Sequence, residues 1–283
     1  MKVAPPPDLA LQVQRALAED IGGGDLTAAL IPADAQGRAR VITREAAVVC
    51  GRPYVDASFA AVDASVSIEW PVAEGALAAP DQILCIVTGP ARALLTAERT
   101  ALNFLQLLSA TATITHRCAG LLEGTACRLL DTRKTIPGLR TAQKYAVRVG
   151  GGNNHRLGLF DGILIKENHI IAAGSIAAAV AAARAVGGKV PVEVEVENLT
   201  ELDQAIAAGA DIALLDNFPL QLLRAAVAAN RAAARPLQLE ASGGGSEDTI
   251  RAIALTGVDF VSVGGLTKHV RAIDLSMRFE WRA

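Results

Sequence analysis

The sequence predicts an α/β chain in two parts, a small antiparallel sheet followed by a parallel α/β barrel. Three observations predict it. The 283 residues are 51% hydrophobic, rich in Ala and poor in aromatics, which suits a globular α/β protein with room for one large core or two. Short β-rich runs separated by turn residues occupy the first ninety positions. From Cys127 onward the rhythm becomes strand, loop, helix, repeated, and that alternation builds a parallel sheet.

Taken in order, Leu9 to Ala18 alternates apolar and polar residues with helical period, and Glu19-Asp-Ile-Gly-Gly-Gly24 stops the helix. The runs Gly37–Arg44, Ala47–Arg52, Ser65–Trp70 and Gln82–Thr88 read as strands of the antiparallel sheet. Pro90 to about Leu122 is helical, with breaks expected near Ser109 to Thr115, and links the two domains. The barrel strands are expected at 127–132, 159–166, 190–197, 211–216, 237–242 and 259–264. Helices are expected at Ile170–Val186, Leu199–Ala208, Leu220–Ala234 and Ser246–Thr256. Eight strands are not visible, so the barrel is incomplete; an open doubly wound sheet is the alternative. No Gly-x-Gly-x-x-Gly follows the first barrel strand, which weighs against a dinucleotide fold. The segment Val270 to Phe279 is read as a helix that packs back on the first domain. The resulting domains are 1–115 with a returning C-terminal helix at 270–283, and 116–269.

The net charge of −2 gives no reason to expect bulk attraction to nucleic acid or a membrane surface. Cys50, Cys85, Cys118 and Cys127 show no metal-ligand spacing and lie in apolar stretches, which suits buried thiols in a reducing cytoplasm. The N-terminal Met1-Lys-Val-Ala-Pro-Pro-Pro7 has no apolar core of a signal peptide. The apolar run Ile170 to Ala183 is too short to span a bilayer.

Against this neutral background, cations collect at expected strand ends. Arg133 and Lys134 end the first barrel strand, Lys166 ends the second, and His155-Arg156 lie between them. Strand ends are where α/β barrels place chemistry, and such a cluster implies a ligand with several negative charges. His155 and His169 also admit purely structural roles, and His116 and His269 carry no argument. Val192-Glu-Val-Glu-Val-Glu197 alternates strictly, so Glu193, Glu195 and Glu197 share one strand face, here the lumen side. A solvated amphipathic strand is the plainer reading. Inside a barrel the glutamates need cations or a metal. Asp216 adds a carboxylate at the next strand end, and such a pair suits Mg²⁺ held partly through water. Ser242-Gly-Gly-Gly245 and Gly264-Gly265 follow the last two strands, where barrels bind phosphate. Glu98-Arg99 reads by itself as a surface ion pair.

These motifs together resemble the quinolinate phosphoribosyltransferase family. The resemblance rests on Glu19–Thr27, Ala97–Asn103, Asp131-Thr-Arg-Lys-Thr135, Asn154-His-Arg156, Leu164–His169, Glu193–Glu197, Leu215-Asp-Asn217, Glu240–Gly244 and Val263–Thr267, spread over nearly the whole chain. It implies an N-terminal α/β sandwich plus an open α/β barrel, assembled as a homodimer. It assigns quinolinate to Thr132, Arg133, Lys134, His155, Arg156 and Lys166, with Arg99 supplied across the dimer interface. It puts phosphate on Ser242, Gly243, Gly244, Gly264 and Gly265, and the metal and ribose on Glu195 and Asp216. Lys134, Lys166, Glu195 and Asp216 are the expected catalytic residues. The family commonly has Ala where Gly265 stands here.

The implied reaction takes phosphoribosyl pyrophosphate and quinolinate to nicotinate mononucleotide, pyrophosphate and CO₂ with Mg²⁺, in NAD synthesis. A pyridine with two carboxylates accounts for the crowd of Arg and Lys. Attack of the ring nitrogen on the anomeric carbon passes through an oxocarbenium-like state that a carboxylate stabilises. The quaternised ring is then the electron sink for decarboxylation, and no protein nucleophile is needed. The rivals are a class I aldolase using Lys166, a phosphate-ligand sensor without turnover, and a paralogue of the same fold with another substrate.

Overall fold

The computed structural model describes residues 3–280. Met1 and Lys2 of the N-terminal segment, and positions 281–283 of the expected C-terminal helix, lie outside that range. In chain order the elements are α1 (Leu9–Ile21), a 3₁₀ turn (Ala28–Leu30), β1 (Gln36–Thr43), β2 (Ala47–Val48), α2 (Arg52–Val62), β3 (Ser67–Glu69), β4 (Leu77–Ala78), β5 (Ile83–Pro90) and α3 (Ala91–Leu121). There follow β6 (Arg128–Leu130), α4 (Arg140–Val149), β7 (Ile163–Ile165), α5 (Glu167–Ala173), α6 (Ile176–Gly187), β8 (Val192–Val196), α7 (Leu199–Ala208), β9 (Ile212–Asp216) and α8 (Leu220–Ala232). The last are β10 (Gln238–Ser242), α9 (Ile250–Ala254), β11 (Phe260–Ser262), α10 (Gly265–Lys268) and β12 (Leu275–Glu280).

The chain forms two compact units. The first holds residues 1–116, 136–151 and 269–283; the second holds 117–135 and 152–268. The stretch 136–151, expected within the barrel domain, thus belongs with the first unit. Its helix α4 buries Ala142, Tyr145 and Ala146 against Val13, Leu17, Tyr54 and Phe104. Polar ends anchor it: the Tyr145 hydroxyl donates to Glu74 at 2.7 Å, and Gln12 Nε2 donates to Thr141 at 2.6 Å.

In the first unit an antiparallel sheet runs β12-β1-β5-β3. Its core includes Val41, Leu84, Val87, Leu94 and Leu105. The C-terminal segment is therefore a strand, not the helix expected at 270–283. Leu275, Met277 and Phe279 alternate with Ser276, Arg278 and Glu280, so a strand turns all three apolar side chains onto this core. A helix would scatter them. Phe279 also explains Gly37, since a Cβ there would meet its ring at 2.8 Å.

Two further differences have local causes. Helix α3 runs unbroken through the Ser/Thr segment expected to interrupt it. The hydroxyls of Thr113 and Thr115 donate to the carbonyls of Ser109 and Thr111, four residues back, and Ser109 Oγ donates to the Cys50 carbonyl. The Thr113 and Thr115 hydroxyls are thus satisfied within the helix and that of Ser109 outside it, while Thr111 Oγ1 is buried without a partner among the described residues. The strand expected over 47–52 stops at Val48, and α2 starts at Arg52. Glu74 accepts from the N–H groups of Gly51 and Arg52, which supplies the cap α2 needs.

In the second unit six parallel strands lie in the order β6-β11-β10-β9-β8-β7, with β6 and β7 as unjoined edges. This is the open parallel barrel. The single helix expected over 170–186 is split into α5 and α6, bent by 93°. Gly174, at φ 89°, ends the first, and Ser175 caps the second by accepting from the Ala178 N–H. The strand expected from 159 begins only at Ile163, because Asp161 accepts from the N–H groups of Leu157 and Gly158 and closes a loop. The helix expected at 246–256 shrinks to Ile250–Ala254. No single helix among the described residues is long and apolar enough to cross a membrane.

Candidate active site

The second unit gathers its polar side chains at the C-terminal ends of β6 to β11. Five groupings build the site, each set by its strand.

The first is the loop after β6. Asp131, fully buried, accepts from the His155 N–H at 2.9 Å and from Asn154 Nδ2 at 2.6 Å. It ties the Asn154-His-Arg156 segment to the end of β6, and Asn153 pairs beside Leu130 as an extra rung. Asp131 was part of the quoted motif but carried no expected role. A buried carboxylate at a strand end was the available signal.

The second is a pair of guanidiniums. Burial and the positive charge of Arg133 together pull the Arg156 pKa below its ordinary value. Arg133 Nε is buried without a hydrogen-bond partner among the described residues. Arg156 Nη1 donates to the Gly162 carbonyl at 3.2 Å. Two cations that repel one another, one with an orphaned donor, form a site that an anion would complete.

The third is His155. Its Nε2 lies 3.0 Å from Glu193 and 3.3 Å from Glu240, and both glutamates are buried. Burial draws the imidazole toward neutrality, but the hydrogen bonds and charges of the two carboxylates outweigh it and hold its pKa at about 10. The Arg156 N–H donates to Nδ1 at 2.7 Å, which by itself suits the neutral ring. The two carboxylates at Nε2 favour the charged ring, and charging it gives up the Nδ1 lone pair that the Arg156 N–H uses in this geometry. Burial raises the Glu193 carboxyl above the ordinary range, and the neighbouring Glu240 adds to this while His155 opposes it. Stability from this contact is complete below the ordinary histidine value of 6.5 and is lost as pH rises through about 10. Urea unfolding across that window should show the decline, and His155→Gln should flatten it; parallel curves for the two proteins would count against the charged ring.

The fourth is Lys166 with Glu195. Lys166 ends β7 and Glu195 lies on the neighbouring β8, and their Nζ and Oε2 atoms are in direct contact. The glutamate ladder thus resolves into two paired members, Glu193 on His155 and Glu195 on Lys166. Glu197 lies just beyond the end of β8 and is exposed, with its N–H bound by Glu201, and it lines the same cavity as Glu195.

The fifth is the pair of glycine loops. Ser242 is level with Asp216 on the adjacent β9, and Gly243 and Gly244 follow with φ of 95° and 63°. Left-handed backbone of this kind is one that Gly adopts without strain, and it lets successive N–H groups converge on an anion. Gly264 lies close against the loop after β6. A Cβ there would meet Lys134 Cδ at 3.2 Å and Thr132 Oγ1 at 3.5 Å. Thr132 Oγ1 accepts from the Lys134 N–H, and Thr267 donates to the Lys134 carbonyl. Gly265 opens α10, a single turn. The helices after both loops are short, so an anion held there would depend on backbone N–H groups more than on a helix dipole.

Arg99 stands apart from this set. It is exposed on α3 in the first unit. Burial raises the pKa of its neighbour Glu98, and the Arg99 charge opposes that. They form no ion pair within contact distance among the described residues.

Comparison with known proteins follows the same outline. A model of the quinolinate phosphoribosyl transferase N-terminal domain matches residues 25–109, and that of its C-terminal domain matches residues 111–278. A probable nicotinate-nucleotide pyrophosphorylase (carboxylating) of Bacillus subtilis is 41% identical over 260 residues, 92% of this chain and 89% of that protein. The Mycobacterium leprae nicotinate-nucleotide pyrophosphorylase (carboxylating) is 42% identical over 272 residues, 94% of this chain and 95% of that one. The solved nicotinate-nucleotide pyrophosphorylase of Francisella tularensis superposes with a TM-score of 0.93 at 48% identity, covering 98% of each chain. With both domain models matched and relatives aligned nearly end to end, the chain belongs to the quinolinate phosphoribosyltransferase family.

Proposed function

We propose that this enzyme transfers phosphoribosyl from phosphoribosyl pyrophosphate to quinolinate with loss of CO₂, yielding nicotinate mononucleotide and pyrophosphate for NAD synthesis. The observation that carries the substrate choice is the cation set of the second unit. Arg133 and Arg156 repel one another, and Arg133 Nε is buried without a hydrogen-bond partner among the described residues. Lys134 and Lys166 extend the set at the ends of β6 and β7. Such a group suits a small ring bearing two carboxylates, with Thr132 adding a hydroxyl at the same edge. A Schiff-base role for Lys166 is disfavoured, since a catalytic amine is kept neutral and this one contacts Glu195.

In this reading Arg133 and Arg156 fix the two carboxylates and aim the ring nitrogen at the sugar, while His155, held by Glu193 and Glu240, sets the loop that carries Arg156. The Ser242–Gly244 nest and Gly264-Gly265 take the phosphates. Glu195 and Asp216 face the ribose, where a carboxylate stabilises positive charge developing at the anomeric carbon. No group of the protein bonds covalently to substrate.

Glu195 and Asp216 also fit a hard cation. The two lie on adjacent strands, and each keeps one carboxylate oxygen, since Lys166 holds Glu195 Oε2 and the Asn217 amide holds Asp216 Oδ2. His155, Glu193 and Glu240 have ligand atoms within 4.8 Å of one another, but that set includes an imidazole already committed to both carboxylates. We assign Mg²⁺ to Glu195 and Asp216. When bound there it would neutralise charge on the pyrophosphate leaving group.

We further assign a homodimer in which Arg99 completes the partner's site, and a cytoplasmic setting. Four buried free cysteines, three of them with thiol pKa values raised to between about 11 and 12, support a reducing compartment.

The direct test is release of pyrophosphate and CO₂ from quinolinate with phosphoribosyl pyrophosphate and Mg²⁺. The enzyme should reject nicotinate. A monoacid leaves one cation of the set unpaired, a cost on the order of 2–5 kcal/mol. Comparable kcat/KM for the two acids would overturn the assignment of the cation set to a diacid.

A further inference from the structure

Asn217 stands at the end of β9, immediately after Asp216. Its backbone is left-handed, with φ of 54°, a conformation that few residues other than Gly adopt and that Asn tolerates best. Three contacts depend on that turn. The Asn217 N–H donates to the Ser242 carbonyl at 2.8 Å, one step beyond the Asp216–Ser242 register. The side-chain Nδ2 donates to Asp216 Oδ2 at 2.9 Å. The side-chain Oδ1 lies over Gly243, where a Cβ would come within 2.1 Å of it. Gly243 thus lacks a side chain for two reasons, its own φ of 95° and the Asn217 carboxamide above it.

One carboxamide therefore touches both halves of the sugar-phosphate site, the carboxylate at the end of β9 and the glycine nest at the end of β10. We propose that Asn217 is a positioning residue that locks Asp216 and the Ser242–Gly244 nest into one rigid unit. The ligand it serves is one that spans a ribose and a phosphate, and the inference rests on the assignment of phosphoribosyl pyrophosphate to this site. Asn217 itself need not touch the ligand. It occupies Oδ2 of Asp216, which leaves Oδ1 to face the ligand, and it fixes the distance from that oxygen to the nest. Quinolinate is assigned to the cations after β6 and β7 and the loop between them, on other strands than the β9 and β10 ends that Asn217 joins.

The experiment is calorimetric titration of phosphoribosyl pyrophosphate with Mg²⁺ present. Phthalate is added throughout; it is a diacid that lacks a ring nitrogen and cannot react, so binding order does not intervene. Asn217→Gly keeps the left-handed backbone without strain but removes the carboxamide. Asn217→Asp keeps shape and backbone but turns the donor into a second carboxylate beside Asp216. Loss of such a supporting contact typically costs roughly 10–100-fold in affinity. We expect both variants to weaken phosphoribosyl pyrophosphate by about that factor, with quinolinate affinity and the thermal midpoint of Asn217→Gly as in the parent. If Asn217→Gly binds phosphoribosyl pyrophosphate like the parent while Asp216→Ala is weakened, Asn217 supplies only a turn and the proposal falls. If Asp216→Ala also binds like the parent, the assignment of this ligand to the site falls first. Should Asn217→Gly unfold early, Asn217→Asp decides alone, and parental affinity in it overturns the lock.

Discussion

Glu195→Gln and Asp216→Asn should each lower kcat by roughly 10²–10³, the usual cost of removing one preorganised charge-stabilising group, with little change in thermal midpoint. Both carboxylates lie at open strand ends, and neither is fully buried. Their removal therefore leaves no cavity in the core. The two variants should differ in how they respond to Lys166. Glu195 contacts Lys166 directly, so Glu195→Gln releases a cation at the mouth of the site. Adding Lys166→Ala to Glu195→Gln should then cost far less than Lys166→Ala costs by itself, because residues that act as a pair are not additive. Asp216, bound to Asn217 instead, should combine with Lys166→Ala nearly additively. Steady-state kinetics over a range of Mg²⁺ concentrations measures both effects. Excess chelator should abolish turnover in the parent. Full activity under chelation would remove the metal from the account and leave the carboxylates with the sugar alone.

What the sequence made legible follows from how local each signal was. The six barrel strands were visible because each is a short apolar run between turn residues, and the alternation with helices then demanded a parallel sheet. Arg133, Lys134 and Lys166 were legible for the same reason, since a strand end is a position that can be counted. Periodicity is weaker where tertiary partners decide. Leu275–Glu280 carries six residues of two-residue alternation, yet only pairing with β1 makes it a strand. The Ser/Thr run in α3 looks like a break until the Thr113 and Thr115 hydroxyls are seen to bond carbonyls of the preceding turn. Helix α4 was missed because its burial depends on Tyr54 and Phe104, distant in sequence. The pairing of His155 with both Glu193 and Glu240 was out of reach altogether. It joins a loop to two strands, and nothing in the spacing of those three residues announces it.

The largest expected effect on assembly is the rescue of activity by mixing two dead chains. Arg99 is exposed on α3 and forms no ion pair with Glu98 among the described residues. Local packing gives its guanidinium no task. An arginine at the partner's barrel mouth would make a bidentate contact with a substrate carboxylate, which Lys cannot copy. Arg99→Ala should therefore raise the quinolinate KM and lower kcat/KM steeply, with a parental thermal midpoint. Lys134→Ala, altered in the barrel itself, should be inactive for a different reason. In a mixed dimer one site carries both defects and the other carries neither. Random reassortment of equal amounts makes half the dimers mixed, each with one whole site, so about a quarter of parental activity should return. Recovery should also depend on time and dilution, because it requires subunit exchange. Mixed dimers that form, as judged by differential tags, but stay inactive would place Arg99 on its own subunit's site or on none.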